Sequence, residues 1–432
     1  MDRFFGIFGI IFILGIAYLM SNNRKAINLR VVISGLLLQL LVAIFVLKVP
    51  LGQMIFQQLG GFITQLLDFS NKGGEFVFGV LVNKPETFDK LFGAGSGFIF
   101  AFKIVPTIIF VAALVSVAYH IGLMQKIVAI VAKLVYKIMG VSGSEALSNA
   151  ASIFVGQVEA QILIKPYVSG MTMSELLASM SGSMACIAGG VMAVYISLGI
   201  PASYLLTASL MAAPGALVIA KIVFPETEES QTKGDVKLEV KKTNANLIDA
   251  IAHGAGDGMR ISINVIAMLI ALIAIIAMLD AFVGFVGVLL SHTGLSLGFL
   301  GLDVNHLSLK GILGSFFSLF AWLMGVPWAE AHSVGALMGT KMVLNEFVAY
   351  MDLSSVVKGT SDIILSQKSI VIATFALCGF ANFGSVAIQV GGIGELAPNR
   401  RKDIAKLGIK ALICGTLASY MSATIAGILS SF

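Results

Sequence analysis

The sequence predicts an all-α polytopic membrane protein of about eight transmembrane helices plus two re-entrant helical hairpins, laid out as an inverted repeat. Three observations carry that reading. Only 12% of the 432 residues are charged and 57% are apolar, with a mean hydropathy of +0.95, whereas soluble domains carry about 25% charged residues. Eight apolar runs reach the length needed to cross a bilayer. Two further apolar segments, 145–170 and 330–352, are each interrupted near their middles by Gly, Gln, Asn, Glu or Lys. Such segments cannot face lipid along their whole length, and broken backbone is tolerated at membrane depth only where it lines a cavity or is buried in protein.

The runs of spanning length fall at 4–20, 31–48, 98–119, 176–198, 202–224, 261–290, 369–391 and 407–430. The first lacks a small-x-small cleavage pattern and leads into a basic loop and a second apolar run, so it reads as a retained span. Arg24, Lys25 and Arg30 follow the first span, and Arg400, Arg401 and Lys402 precede the last. If both loops are cytoplasmic, the chain begins and ends outside, in agreement with an even number of spans. In 120–140 the spacings of 7 and 4 between Lys126, Lys133 and Lys137 put all three on one face, as in an interfacial helix. Residues 52–68 are a second such candidate. The segment 225–247, with mixed charges and no apolar period, reads as a polar linker between two halves. These observations divide the chain into scaffold spans and interfacial helices (1–140), a first hairpin with its following spans (141–224), a linker with the start of the long span (225–260), the long span and a connection (261–329), and a second hairpin with the last two spans (330–432).

The halves echo each other. Glu145-Ala146 opens the first broken segment and Glu330-Ala331 the second, and Glu159 and Glu346 follow 14 and 16 residues later. A small-residue-rich span comes next in each: Ala188-Gly189-Gly190 in one, Gly379 through Ser385 in the other. Paired broken segments at corresponding places point to a transporter binding site near the bilayer midplane. Glu159 and Glu346 both read as membrane-buried, where an ionisable group costs about 3 kcal/mol or more unless compensated. Each has two readings. Glu159, with Gln157, either reaches a polar ligand from a hairpin tip or pairs with Lys165 to hold the hairpin. Glu346, with Asn345 beside it, either accepts a vicinal diol bidentately or pairs with Lys341. Asn382 and Ser385, at i and i+3, share a helical face, and Phe380 offers a stacking surface or is simply core.

Several functions are excluded by what the chain carries. Cys186, Cys378 and Cys414 lie far apart in apolar segments and read as buried thiols, with no CxxC spacing. The five histidines form no ligand set; His253 and His292 read as loop or span-end residues and His332 as a cap of the second broken segment. There is no Walker loop and no nucleophile–base set, so neither ATP hydrolysis nor another enzymatic activity is indicated. Dispersed basic residues give a net charge of +5 without a nucleic-acid patch.

Three motifs, in order, carry a family resemblance: Gly156-Gln157-Val158-Glu159-Ala160, Asn345-Glu346-Phe347-Val348-Ala349-Tyr350 and Cys378-Gly379-Phe380-Ala381-Asn382-Phe383-Gly384-Ser385. With Asn23-Arg24-Lys25 and Ser422 to Gly427 they cover essentially the whole chain, which resembles the concentrative nucleoside transporter family. The resemblance implies a homotrimer in the bacterial inner membrane, importing nucleosides with a cation by alternating access and needing no cofactor. By position it assigns Gln157, Val158 and Glu159 to the nucleobase with Val191 beside it, and Glu346, Asn382 and Ser385 to the ribose with Phe380 alongside. It places a cation at the Ser152 side chain, at Cys186 and at carbonyls of Val155, Cys186 and Ile187. Three positions depart from the family. Val158 stands where members commonly have Thr or Ser, Ser152 where sodium-coupled members have Asn, and Cys186 where they have Ser. Sodium prefers oxygen to a thiol, so the expectation leans to H+ over Na+, with Glu346 or Glu159 as carrier. A transporter of nucleobases or modified nucleosides, or a passive facilitator, is the alternative.

Overall fold

The computed structural model describes residues 5–83, 99–232, 244–292 and 303–430, and every regular element in them is helical. The amino-terminal part holds α1 (Phe5–Leu19), α2 (Leu29–Leu47), α3 (Pro50–Phe78), α4 (Phe100–His120) and α5 (Leu123–Met139). Next come α6 (Gly143–Ser152), α7 (Glu159–Ile162), α8 (Met173–Ala185), α9 (Gly189–Ser197) and α10 (Ala202–Val223). The second half contains α11 (Leu247–Ser291), α12 (Leu309–Leu323), α13 (Trp328–Val343), α14 (Glu346–Val357), α15 (Gln367–Leu377), α16 (Phe383–Leu396) and α17 (Arg401–Ser430).

Among the described residues six stretches are long and apolar enough to cross a membrane: α2, α4, α8 with α9, α10, α11 and α17. The other two expected crossings fall on α1, an apolar helix of 15 residues, and on the α15–α16 pair. The core is built around α17 and α10. Helix α17 packs against α1, α8, α10, α15 and α16, and α10 against α2 and α8. By contrast α11 runs along α4 and buries few of its residues. Its apolar side chains therefore face outward, as lipid or a second membrane protein requires. Helix α5 is amphipathic: Val128, Ala132, Val135 and Met139 are buried on one side, and Lys126, Lys133 and Lys137 are exposed on the other. The second interfacial candidate, 52–68, lies within α3.

Local chemistry explains the starts of the hairpin elements. Ser142 and Glu145 form a capping box on α6, with the Ser142 N–H donating to Glu145 Oε1 at 3.0 Å. Thr172 and Glu175 repeat it on α8, at 2.8 Å. Both glutamates satisfy orphan N–H groups of a first turn. Glu145 also meets Lys221 of α10 at 2.7 Å, and Lys221 reaches Glu226 at 3.2 Å and the Ser174 hydroxyl at 2.9 Å. This buried cluster ties the first hairpin to α8 and α10.

The structure differs from expectation in three places. The runs 176–198 and 369–391 are not continuous helices. The first is broken at 186–188 between α8 and α9, the second at 378–382 between α15 and α16. Residues 303–329, expected as a connection, contain α12, started by the Ser308 hydroxyl accepting from the Gly311 N–H at 3.0 Å. Helix α12 meets α13 at a bend of 118°. The long span, whose apolar run is 261–290, is helical from Leu247, where Asn246 caps it by accepting from the Asp249 N–H at 2.9 Å. Of the polar linker, residues 233–243 lie outside the described residues.

Replacing Lys221 by Met strands Glu145, whose side chain is 2% exposed. Removing one member of a buried pair costs about 3–5 kcal/mol. Thermal unfolding in detergent is expected to show a clear drop for Lys221→Met, and recovery of most of it when Glu145→Gln is added.

Candidate functional site

The two helix breaks lie against each other. At the end of α8, Cys186 is extended, and its carbonyl accepts from the Phe380 N–H in the other break at 3.3 Å. Gly379 has φ +105°, and a Cβ there would collide with the Ala185 carbonyl. Only glycine satisfies both demands. Asn382 then restarts the helix: its Oδ1 accepts from the Ser385 N–H at 2.8 Å. The pair read from sequence as sharing a helix face is thus an N-cap and its capped residue, a geometry that points both side chains at the break.

A chain of hydrogen bonds links four elements at this place. Gln157, in the tip after α6, donates from Nε2 to Ser385 Oγ at 3.2 Å. Asn382 Nδ2 donates to Glu346 Oε2 at 3.0 Å, and the Tyr195 hydroxyl on α9 donates to Glu346 Oε1 at 3.1 Å. Glu346 is the first residue of α14, in the second hairpin, whose tip is capped by Asn345 Oδ1 accepting from the Val348 N–H at 3.0 Å. A carboxylate there also suits the positive end of the helix dipole. Gln157, Glu346, Asn382 and Ser385 are all buried. The Gln157 Oε1 is buried too and has no partner among the described residues.

Val191 and Phe380 are half-buried and pack on the core. Val158 is half-buried against α16, where a Cβ on Gly392 would lie 2.7 Å from its Cγ2. Glu159 departs from the burial expected of it. It is exposed at the start of α7, with its carboxylate over Gly156, outside the hydrogen-bonded chain. The ion-pair readings fail for both glutamates: among the described residues neither Glu159 with Lys165 nor Glu346 with Lys341 forms a salt bridge. Lys341 instead donates to the Ala376 and Cys378 carbonyls at 2.8 and 3.0 Å. His332 does not cap α13, whose N-cap is Pro327, but reaches the Gly311 carbonyl on α12 at 3.2 Å.

The residues expected around a cation lie on the first hairpin and the first break. The Gly189 N–H donates to the Phe154 carbonyl at 3.0 Å, holding the first hairpin tip, with Val155, on the break containing Cys186 and Ile187. Ser152 donates to the Ser148 carbonyl at 2.8 Å and lies 3.0 Å from Ser183 Oγ. The Cys186 thiol points to the Ser209 carbonyl at 3.8 Å. Beside them is a network that sequence reasoning missed. Gln161 donates to Ser183 Oγ at 2.7 Å and accepts from Ser179 Oγ at 2.6 Å. Tyr195 was missed as well, although a hydroxyl in a buried helix needs a partner.

Two hairpins whose tips meet two broken helices around buried polar groups define a membrane carrier for a small polar solute. The comparisons with known proteins then name the family. Models described as "Na+ dependent nucleoside transporter N-terminus", "Nucleoside recognition" and "Na+ dependent nucleoside transporter C-terminus" match residues 8–81, 101–202 and 204–427. An uncharacterized transporter of Haemophilus influenzae is 43% identical, the match covering 98% of this chain and 96% of that protein. The nucleoside permease NupC of Helicobacter pylori is 40% identical over 98% of this chain and 97% of its own. The structure of CNTnw in an inward-facing substrate-bound state superposes with a TM-score of 0.91 at 43% identity, covering 100% of this chain and 98% of that one. The chain belongs to the concentrative nucleoside transporter family, a family of transporters rather than enzymes.

Alanine at Gly379 must either shift the break or open the Cys186–Phe380 contact. Gly379→Ala is expected to cost about 1–3 kcal/mol, the range for a strained backbone position, and to raise amide exchange in 378–385. Hydrogen exchange of the purified protein measures both.

Proposed function

We propose that this protein is a secondary active symporter that imports nucleosides with a cation by alternating access, as a homotrimer in the bacterial inner membrane. The observation that carries the reading is the convergence of Gln157, Ser385, Asn382 and Glu346 from both halves on one hydrogen-bonded chain. Glu346 uses two lone pairs on Tyr195 and Asn382, and a carboxylate offers about four, so two remain for a ribose diol. The unpartnered Gln157 Oε1 suits a donor on a base edge, and Phe380 and Val191 supply apolar contact on either side. Glu159 stands at the rim of the tip, where it meets a base entering from water. Alternating access has support in the inward-facing, substrate-bound state of the CNTnw neighbour.

For the coupling ion we favour H+. The Cys186 thiol is a poor ligand for Na+, and Ser152 is engaged within its serine network. Sodium is the second reading, favoured by the description of the matching family models. Either ion suffices energetically: one charge moved down 100 mV supplies about 2.3 kcal/mol, or roughly fifty-fold accumulation.

Uptake of radiolabelled uridine and adenosine into proteoliposomes, under a proton gradient and separately a sodium gradient, tests this function. Accumulation under the proton gradient alone is expected; equilibration without accumulation under either gradient means a passive facilitator. Glu346→Gln removes the charged acceptor and is expected to weaken uridine binding about 10- to 150-fold, the equivalent of about 1.5–3 kcal/mol for a charged hydrogen bond. Ser152→Asn with Cys186→Ser restores oxygen ligands at the cation positions. Sodium stimulation of uptake is expected to appear or grow in that double variant, and an unchanged ion response removes those positions from the site.

A further inference from the structure

Lys341 makes no hydrogen bond to the chain that runs from Gln157 to Glu346. It lies on α13 and is 1% exposed. Burying an ammonium costs several kcal/mol unless it is compensated, yet among the described residues it forms no salt bridge, and the Glu346 carboxylate acts on it only through space. Its Nζ donates to the carbonyls of Ala376 and Cys378, at 2.8 and 3.0 Å, where α15 ends. The Ser419 hydroxyl of α17 also donates to the Cys378 carbonyl, at 2.8 Å. A helix C-terminus leaves carbonyls without intrahelical partners and carries negative partial charge. The ammonium and the end of α15 therefore compensate each other.

The first break is built alike, with one difference. Cys186 and Cys378 are both extended C-cap residues, of α8 and α15. Ser209 lies between them, its carbonyl 3.8 Å from the Cys186 thiol and its hydroxyl 3.7 Å from the Cys378 thiol. The first helix of each hairpin sends a side chain to a neighbouring interrupted helix: Lys341 reaches the carbonyls that end α15, and Ser152 reaches the Ser183 hydroxyl of α8, three residues before Cys186. The first hairpin brings the neutral Ser152, seven residues before Glu159. The second brings Lys341, five residues before Glu346.

We propose that Lys341 is a tethered cation. It is a positioning residue whose fixed charge holds the second break, and with it Phe380, Asn382 and Ser385, in binding geometry. In doing so it supplies from the chain itself the kind of charge that a bound sodium ion would supply at the first break under the sodium reading. The comparison between breaks rests on the symport reading; the contact of Lys341 with the carbonyls does not. The second break is thereby held by a residue of the chain itself rather than by a bound ion.

The test uses the purified full-length protein and three variants: Lys341→Ala, which leaves room for a small amine; Lys341→Gln, which keeps donors without charge; and Asn382→Ala as a control. Two readouts are taken, hydrogen exchange in 378–385 and uridine affinity, each with and without methylammonium. In Lys341→Ala, exchange is expected to rise and affinity to fall about ten-fold or more, the scale of a charge-assisted bond. Methylammonium is expected to reverse both changes in Lys341→Ala and to leave the wild type and Asn382→Ala unchanged. Lys341→Gln is expected to resemble Lys341→Ala without methylammonium, and it decides the matter alone if the alanine variant does not fold. Unchanged exchange in a folded Lys341→Ala, no reversal by methylammonium, or wild-type behaviour of Lys341→Gln overturns the proposal. A wild type that binds no uridine contradicts the nucleoside reading instead, and hydrogen exchange, which needs no substrate, still decides the role of Lys341.

Discussion

Everything at the candidate site depends on how two interrupted helices satisfy their backbone inside an apolar protein. Interrupting a buried helix leaves N–H and C=O groups without partners, and each costs free energy away from water. Here the breaks answer each other: the Phe380 N–H meets the Cys186 carbonyl, and Gly379 brings the chains close enough for that contact. What the breaks do not satisfy mutually, side chains supply. Asn382 caps α16, Lys341 and Ser419 cover the carbonyls ending α15, and the Gly189 N–H reaches the first hairpin tip. Polar groups placed to stabilise an interrupted backbone are thereby the groups available to a solute.

This economy ties binding to conformation. Glu346 is held by Tyr195 from one half and Asn382 from the other, and Gln157 by Ser385 across the same divide. No single element contains the site, so a displacement of either hairpin tip breaks at least one of these bonds. The hairpins are anchored at their far ends by different means. The first is fixed by the Glu145–Lys221 pair and its capping box, the second by packing of α13 on α12 and by Glu330 accepting from the Ser366 hydroxyl at 2.9 Å. The bases are thus held by contacts separate from those that hold the tips.

Much of this was legible in the sequence because lipid makes polar residues conspicuous. Glu346, Gln157, Asn382 and the lysine face of α5 stood out against apolar surroundings, and the interrupted segments marked both hairpins. The rest was hidden for physical reasons. The breaks at 186–188 and 378–382 lie in runs whose mean hydropathy stays high, since apart from Asn382 their residues, Cys186 to Ala188 and Cys378 to Ala381, are small or apolar. Tyr195 looks like core until its hydroxyl is seen to need a partner. Lys341 invites pairing with Glu346, five residues away, and only the fold reveals that a helix end is its partner. Glu159 looks buried by its neighbours, yet the turn at Gly156 carries it to the surface.

The central claim is that one solute site is formed jointly by the two hairpin tips and the two helix breaks. Its most direct test is an experimental structure of the protein with uridine bound. The account predicts ribose hydroxyls on Glu346 and Asn382, and a base edge on the Gln157 side-chain carbonyl. Uridine bound elsewhere, with the chain from Gln157 through Ser385 and Asn382 to Glu346 unchanged, would contradict it.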